Sequence, residues 1–277
     1  MRTVIISLLL SLVAAAAVAQ TGSPAGSTPT TGMEKLKDFR VIEFRRYTIK
    51  EGEREHFARY FESYFPEAFE QLGAIAFGSF LERDKPQLFT WIRGFHDIDE
   101  RPKINSAFYY GPLWKEYKSR INELIVDSDN VMLLQPFTPD RSVLVLPAVD
   151  VVKEPMGAHG DVVAEIFSVK PNSVNEFEKQ AEPTFAKYRQ AGAKEAGLLT
   201  TLDVTNNFPQ LPVRSDGPFL VWLGVVESNE VLQTKFLPLV KGSSQALAAT
   251  NLLRNEPEIV VLDPSSRSRL RWLQNSQ

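Results

Sequence analysis

Cysteine is absent from all 277 residues of the chain. This absence excludes disulfide bonds, thiolate nucleophiles, iron–sulfur clusters and the common structural zinc sites. No lipid can be attached through a cysteine behind an export signal either. The fold must therefore be stable on its hydrophobic core alone.

An excess of charge of one sign is also absent, because 31 Lys and Arg residues stand against 34 Asp and Glu residues. The net charge of −3 gives no electrostatic footprint for nucleic acid. The sequence has no Gly-x-Ser-x-Gly elbow, phosphate loop or dinucleotide fingerprint, so hydrolase triads and nucleotide chemistry lack support. The hydrophobic content of 43% is typical of a soluble globular protein.

The first residues have the pattern of a secretory signal peptide. Arg2 is followed by an apolar run from Val4 to Val13 and by Ala17-Val18-Ala19, a small-x-small cleavage site before Gln20. The run is short for a membrane-spanning helix. We expect a signal peptide at 1–19, a Gly, Ser, Thr and Pro-rich linker at 20–38, and a periplasmic or secreted protein that leaves the membrane after cleavage.

Residues 39–136 predict a first domain with the order β-α-β-β-α-β. Alternating and β-branched patterns predict strands at 39–49, 74–82, 87–95 and 125–134. Apolar residues at three- and four-residue spacing predict a helix after Gly52, kinked at Pro66, and a helical stretch from His96 with breaks at Pro102 and Gly111-Pro112. This order is the ferredoxin-like arrangement, which belongs to the α+β class.

Residues 160–264 predict the same order again, after a connector at 137–159 and before a C-terminal tail at 265–277. At a shift of 120 residues Tyr47 falls on Phe167 and Phe57 falls on Phe177; beyond the segment Asn206 to Asp216, which has no counterpart, Trp91 falls on Trp222. The repeated pattern predicts an internal duplication, hence two tandem ferredoxin-like repeats.

The segment from Glu43 to Gly52, EFRRYTIKEG, resembles the opening motif of the NIPSNAP family, E-x-R-x-Y-x-hydrophobic-K-x-G. Trp91, Phe95 and Trp114 are similar to aromatic positions of that family. The resemblance implies a dimeric α/β barrel in which two ferredoxin-like sheets pack face to face, here as a pseudo-dimer within one chain, which is then a monomer or a homodimer.

The second repeat departs from the motif, because Glu165, Asn172 and Gly224 stand where the first repeat has Arg45, Gly52 and Arg93. Any binding site should therefore be asymmetric and use residues of the first repeat.

The charged row on the first strand is the candidate site. We expect the first and third strands to be adjacent and parallel, with Glu43, Arg45 and Tyr47 facing the space between the two sheets. Arg45 would pair with Glu43, or with Glu165 across the pseudo-twofold axis. The predicted ligand-binding residues are Glu43, Arg45, Tyr47, Trp91, Arg93, His96 and Glu165. A structural ion-pair network without a ligand is the alternative interpretation.

Two histidines give a weaker hypothesis. His56 and His96 are expected at the same edge of the sheet, with Asp97 and Asp99 beside His96, which would suit Zn²⁺ or Fe²⁺. These residues also fit ordinary polar positions at helix starts, and no spacing signature supports a metal. Haem on an axial histidine, which some barrels of this superfamily carry, lacks an attachment motif. We therefore predict neither a metal nor another cofactor.

Three functional classes remain open. The first is binding of a small anionic or aromatic ligand, with Arg45 and Arg93 holding the anion and Trp91 and Tyr47 flanking its apolar part. The second, implied by the resemblance, is a cofactor-free monooxygenase or isomerase in which Glu43 or His96 abstracts a proton and Arg45 stabilises an enolate. The third is a protein-interaction module that uses the outer helices. The sequence identifies no catalytic residue and leaves open whether the chain is an enzyme.

Overall fold

The computed structural model describes residues 34–35 and 39–273. The predicted signal peptide at 1–19 and most of the predicted linker at 20–38 lie outside these residues. Within the described part of the chain, no helix is long and apolar enough to cross a membrane.

The fold is α+β, and its sheet is a closed barrel of eight strands. The strands are β1 (Val41–Ile49), β2 (Ile75–Glu82), β3 (Leu88–Phe95), β4 (Ile125–Pro136), β5 (Asp161–Ser168), β6 (Lys194–Thr201), β7 (Phe219–Val226) and β8 (Glu258–Pro264). The helices are α1 (Arg54–Tyr64), α2 (Pro66–Gln71), α3 (Glu100–Tyr109), α4 (Pro112–Asn122), α5 (Val174–Gln190), α6 (Asn229–Val231) and α7 (Leu237–Ala248), with a π-helical turn at Leu232–Phe236 and a short 3₁₀ helix at Pro139–Arg141.

The proline positions explain the helix boundaries of the first half. Pro66 and Pro112 each stand at the start of a helix, where the missing N–H has no intrahelical partner to lose. Pro102 does not break its helix as expected, because it lies in the first turn of α3, where the same argument holds.

The strands follow the order β8-β2-β3-β1-β4-β6-β7-β5 around the barrel, and every neighbouring pair is antiparallel. The expectation that the first and third strands are parallel is therefore wrong. β1 and β3 are adjacent, but Val41 stands opposite Phe95 and Thr48 opposite Leu88. The β2–β3 hairpin reverses the chain after the helical crossover from β1, so β3 must run against β1.

The barrel interior is apolar. All eight strands contribute to one core, in which Ile42, Phe44, Val162, Val221 and Leu262 are representative members. The side chains that alternate with these core residues point outward from the barrel. Those on β1 and β3 pack against α1–α4, and those on β5 and β7 pack against α5 and α7. The described part of the chain thus has three hydrophobic cores: one inside the barrel and one under each helical layer.

Ion pairs close the barrel where β8 meets β2. The guanidinium group of Arg46 donates to both carboxylate oxygens of Glu82 and of Glu258, at 2.6–3.0 Å. Arg83 pairs with Asp161 and Asp263. These contacts join the first half of the chain to the second.

The residues after β8 pack against the barrel as far as the structure describes them. The amide of Leu270 donates to the carbonyl of Phe77 at 2.8 Å, and the Leu270 side chain enters the barrel core. The amide of Ser265 donates to the carbonyl of Ser79. In the connector, Leu144–Val145 pairs antiparallel with Glu34–Lys35.

Candidate functional site

Three arginines converge on one glutamate beneath the helices of the first half. The Nη1 group of Arg45 donates to Oε2 of Glu43 at 2.8 Å, Arg93 Nε donates to the same oxygen at 2.6 Å, and Arg101 Nε donates to Oε1 at 2.6 Å. We call Glu43, Arg45, Arg93 and Arg101 the arginine cluster. Each of these four side chains is at most 1% exposed.

The arginine cluster carries more positive than negative charge. Burial by itself would raise the pKa of Glu43, but the charges of Arg93, Arg45 and Arg101 outweigh it and hold that pKa well below its usual range. One carboxylate therefore faces three guanidinium groups, which leaves an excess of two positive charges in a buried place. Such an excess is costly unless another anion or a polarisable group compensates it.

Aromatic rings supply part of that compensation. The guanidinium carbon of Arg93 lies 4.6 Å from the ring centre of Phe69, 4.8 Å from that of Trp91 and 5.1 Å from that of Phe95. Both Nη groups of Arg93 and the Nη2 group of Arg101 are buried with no hydrogen-bond partner among the described residues. The cluster thus keeps unused donor capacity.

A cavity of about 590 Å³ borders this cluster. Arg45, Tyr47, Trp91 and Tyr109 line it, whereas Glu43, Arg93 and Arg101 lie behind the lining. The Nε group of Arg45 donates to the Tyr47 hydroxyl oxygen at 2.9 Å, which fixes both side chains at the wall. The volume falls in the range of pockets that hold small organic molecules.

Aromatic side chains supply half of the residues that line the cavity. The segment of α1 and α2 supplies rings at four-residue spacing, which places them on one face: Phe57, Phe61, Phe65 and Phe69. The rings of Phe108 and Trp114 and the aliphatic side chain of Ile121 join them from α3 and α4. Exposed Lys115 and Lys118 also border the cavity, so cationic groups stand between it and solvent. Ile125, Ser128 and the exposed Asp129 of β4 also line the cavity, and the second half contributes the loop that joins β6 to β7 and includes Phe208.

The expectation that the charged row lies between the two sheets is wrong. Glu43, Arg45 and Tyr47 point away from the barrel interior and into the layer beneath α1–α4, where Trp91 and Arg93 join them. Glu43, Arg45 and Tyr47 do share one face of β1, as the alternation predicts, but both faces of the strand are covered. Ile42 and Phe44 take the barrel side because that space is filled by apolar residues of both halves.

Two of the predicted site residues lie elsewhere. His96 follows β3 and stacks on Phe39, with ring centres 4.3 Å apart, beside the barrel core. Glu165 is the structural counterpart of Arg45, because it stands opposite Trp222 as Arg45 stands opposite Trp91. It does not pair with Arg45; its carboxylate contacts the hydroxyl of Ser244 under the helices of the second half.

The two histidines do not come together. His56 follows the end of β1 and His96 follows the end of β3, and antiparallel strands place these ends at opposite edges of the sheet. The Nδ1 atom of His56 lies 2.9 Å from a carboxylate oxygen of Glu53. Within the described residues, no three His, Asp or Glu side chains are grouped as a metal ion would require.

Sequence reasoning missed Arg101, Tyr109 and Phe208. Arg101 had a usable signal: with Ile104, Asn105 and Phe108 it follows helical spacing, and these four residues form the buried face of α3. Phe208 had none, because its place against the first half depends on how the barrel closes.

Within the described residues, side chains of the second half fill the space that corresponds to this cavity. Gly224 stands where the first half has Arg93, and a Cβ atom there would overlap the indole ring of Trp222. That ring packs against Phe185, Tyr188 and Phe236, at centre distances of 6.2, 5.0 and 5.8 Å.

Comparison with known proteins finds a family match in the first half of the chain. Residues 42–139 match the NIPSNAP family model. No curated protein matches the chain. An uncharacterised NIPSNAP domain protein from Burkholderia xenovorans is 19% identical over 36% of this chain and 99% of that chain, with a TM-score of 0.33.

Two solved structures resemble most of the chain in fold. A candidate monooxygenase from Lactobacillus acidophilus NCFM is 13% identical, and the match has a TM-score of 0.53. It covers 84% of this chain and 97% of the other. An anthrone oxidase-like protein is also 13% identical, covers 89% of this chain and 100% of its own length, and has a TM-score of 0.52. Residues 42–139, which hold most of β1–β4, α1–α4 and the arginine cluster, thus match the NIPSNAP family model, within a chain whose fold is similar to that of these monooxygenase-like proteins.

Proposed function

We propose that the protein binds a small aromatic anion in the cavity of its first half. The observation that carries this proposal is the buried excess of positive charge at the wall of an aromatic cavity. A purely structural ion-pair network would balance its charges, whereas this one leaves donors of Arg93 and Arg101 unused.

Arg45 is the group that would contact the anion, because it is the member of the arginine cluster that lines the cavity. Glu43 orients its guanidinium group, and Arg93 and Arg101 strengthen the positive potential from behind. Tyr47 and Trp91 flank the ligand, and the phenylalanine rings enclose its apolar part.

We further propose that the chain is a duplicated ferredoxin-like unit. In support, the strand order β4-β1-β3-β2 of the first half recurs as β8-β5-β7-β6 in the second. The two halves meet where β4 pairs with β6 and where β8 pairs with β2. The equivalent positions Arg45 and Glu165 then explain why only one half keeps a cationic cavity.

The proposed ligand site can be tested with anthracenecarboxylate and its neutral counterpart anthracenemethanol, with calorimetry as the measurement. A hydrogen bond to a charged group contributes about 1.5–3 kcal/mol, so the anion should bind at least about tenfold more tightly than the alcohol. In Arg45→Met this preference should disappear, while the alcohol binds as it does to the unaltered protein.

Arg141→Met is the matched control, because Arg141 of the connector also lies over an aromatic ring and pairs with glutamates, but these partners belong to the second half. It should keep the preference for the anion. Equal binding of acid and alcohol to the unaltered protein, or an undiminished preference in Arg45→Met, would refute the proposal.

A cofactor-free monooxygenase or isomerase is the second candidate, and the likeness in fold supports it. Its predicted bases are poorly placed: Glu43 is held as a carboxylate by three arginines behind the cavity lining, and His96 lies beside the barrel core. Oxygen uptake by the purified protein on addition of a phenolic aromatic compound would favour this candidate. The cavity itself argues against a module that acts only through its outer helices.

A further inference from the structure

The loop at 202–218, between β6 and β7, reaches across to the cavity of the first half. Its central residues Phe208, Gln210, Leu211 and Pro212 line that cavity, although they belong to the second half of the chain. Phe208 is buried, and its ring stacks on that of Tyr109 with centres 6.3 Å apart. The binding site is therefore incomplete without this loop.

The loop is attached differently at its ends and at its centre. Near the ends, the amide of Leu202 donates to the carbonyl of Leu133 at 3.0 Å, and the amide of Arg214 donates to the carbonyl of Val131 at 2.8 Å. These backbone bonds extend the pairing of β4 and fix both ends of the segment.

Side chains hold the centre of the loop. The Nη1 group of Arg101 donates to Oδ1 of Asn206 and to Oδ1 of Asn207, at 3.0 Å each. The Nδ2 group of Asn207 donates to the carbonyl of Ile98 at 2.6 Å. The same Arg101 donates through Nε to Glu43, so one guanidinium group joins the loop to the arginine cluster.

We propose that the 202–218 loop is a movable cover of the cavity, and that a ligand enters and leaves when the centre of the loop detaches from Arg101. Fixed ends and a centre held by a few side-chain contacts allow such a motion without unfolding the barrel. Phe208 and Leu211 then contact the aromatic body of the ligand from above, and the second half thereby contributes to its selection. This inference rests on the proposed function for the ligand, but its first test needs no ligand.

Thiol accessibility tests the cover directly, because the chain has no cysteine of its own. Tyr109→Cys places a single thiol beneath Phe208, and its alkylation by iodoacetamide can be followed by mass spectrometry. Adding Asn206→Ala and Asn207→Ala to this variant should speed the alkylation at least about tenfold, since several hydrogen bonds of the closed position are lost.

Two controls separate opening from general loosening. Arg214→Met removes the ion pair with Asp216 near the end of the loop and leaves Asn206 and Asn207 in place, so it should not speed the alkylation. Ala246→Cys, at an exposed position of α7, should react at the same rate with and without the Asn substitutions. An unchanged rate at position 109 in the Asn variants would overturn the proposal, as would equal acceleration by Arg214→Met.

A second measurement uses anthracenecarboxylate in stopped-flow fluorescence on the chain with its native Tyr109. If the loop is a cover, Asn206→Ala with Asn207→Ala should raise the association and dissociation rates together, several-fold each. Unchanged rates with measurable binding would overturn the cover and leave the proposed function standing. Absence of binding would refute the proposed function, while the thiol experiment still decides the cover.

Discussion

Arg45 and Glu165 occupy equivalent positions, and opposite charges there give the two halves different chemistry. Arg45 borders a cavity and belongs to a cluster with excess positive charge. Glu165 is fully buried among the apolar side chains of the second half, and burial raises its pKa to about 7, against the opposing effect of Ser244. One position thus favours a bound anion, and the other favours a neutral acid.

The Ser244 hydroxyl supports a protonated Glu165. Its oxygen lies within hydrogen-bonding distance of both the Glu165 carboxylate and the carbonyl of Val240, at 2.9 Å from the latter. A hydroxyl has one hydrogen, and the carbonyl can only accept it. A proton on Glu165 satisfies both contacts.

We therefore predict that Glu165 makes the protein less stable as the pH rises. The folded-state pKa lies above the unfolded value of about 4.5, so the folded chain binds more protons between these two values. The stability from this group is complete below pH 4.5 and is lost as the pH rises through about 7, a loss of about 3 kcal/mol. Urea unfolding at pH 5 and at pH 8 measures it.

Glu165→Gln should remove this pH dependence, because glutamine imitates the neutral acid. At pH 8 the variant should be more stable than the unaltered protein, and at pH 5 the two should be similar. A variant that is less stable at both values by the same amount would show that Glu165 is ionised and paired in the folded state.

At the scale of elements, the difference between the two helical layers comes from β7. Trp222 and Gly224 stand where β3 has Trp91 and Arg93, and the absence of a side chain at 224 lets the Trp222 ring lie over the strand. The ring then fills the space that the cavity occupies in the first half.

Gly224→Ala should consequently destabilise the protein by about 1–3 kcal/mol, since the new methyl group must displace a ring packed among other aromatic side chains. Gly242→Ala is the matched control: its Cβ atom in α7 meets nothing within 4 Å, and alanine is more favourable than glycine inside a helix by about 0.5–1 kcal/mol. Thermal unfolding should show opposite shifts. If Gly224→Ala left the stability of the protein unchanged, the Trp222 ring would be free to move.

The positions of the strands could be predicted from the sequence, whereas the location of the candidate site could not. The strands of the first half lie within a few residues of the predicted segments, because β-branched and aromatic alternation with turn residues between is a local signal. The local sequence does not determine which face of β1 meets the barrel interior. Both faces are covered, so the positions of Glu43 and Arg45 on one face are compatible with either the helical layer or the interior.

The contact of Phe208 with Tyr109 was beyond local reasoning for the same reason. The insertion around residue 208 was visible as a segment without a counterpart in the first half. Its destination depends on β4 pairing with β6, which brings the hairpin of the second half beside α3 of the first.

At the scale of the whole molecule, the eight described strands close into a barrel in which none is an edge strand. Each of the eight strands has two neighbours, so the pairing that draws separate sheets together is satisfied within one chain. We propose that the exported protein is a monomer that begins at Gln20, in keeping with the signal-peptide pattern at 1–19.

Native mass spectrometry of the protein secreted by a bacterial host tests this prediction. The expected spectrum has a single species with the mass of residues 20–277. A dimer at micromolar concentration would point to association through another surface, and a mass that includes residues 1–19 would contradict the cleavage.

The presence of both halves in one chain has a consequence for how their sequences can change. In a barrel assembled from two identical subunits, every codon is read into both halves, so a substitution that improves one pocket is also forced on the other. Here the two halves are encoded separately, and a change at position 45 leaves position 165 untouched. Because both halves lie in one chain, Arg45 and Glu165 can differ, and the first half can carry a cationic cavity while side chains fill the corresponding space of the second.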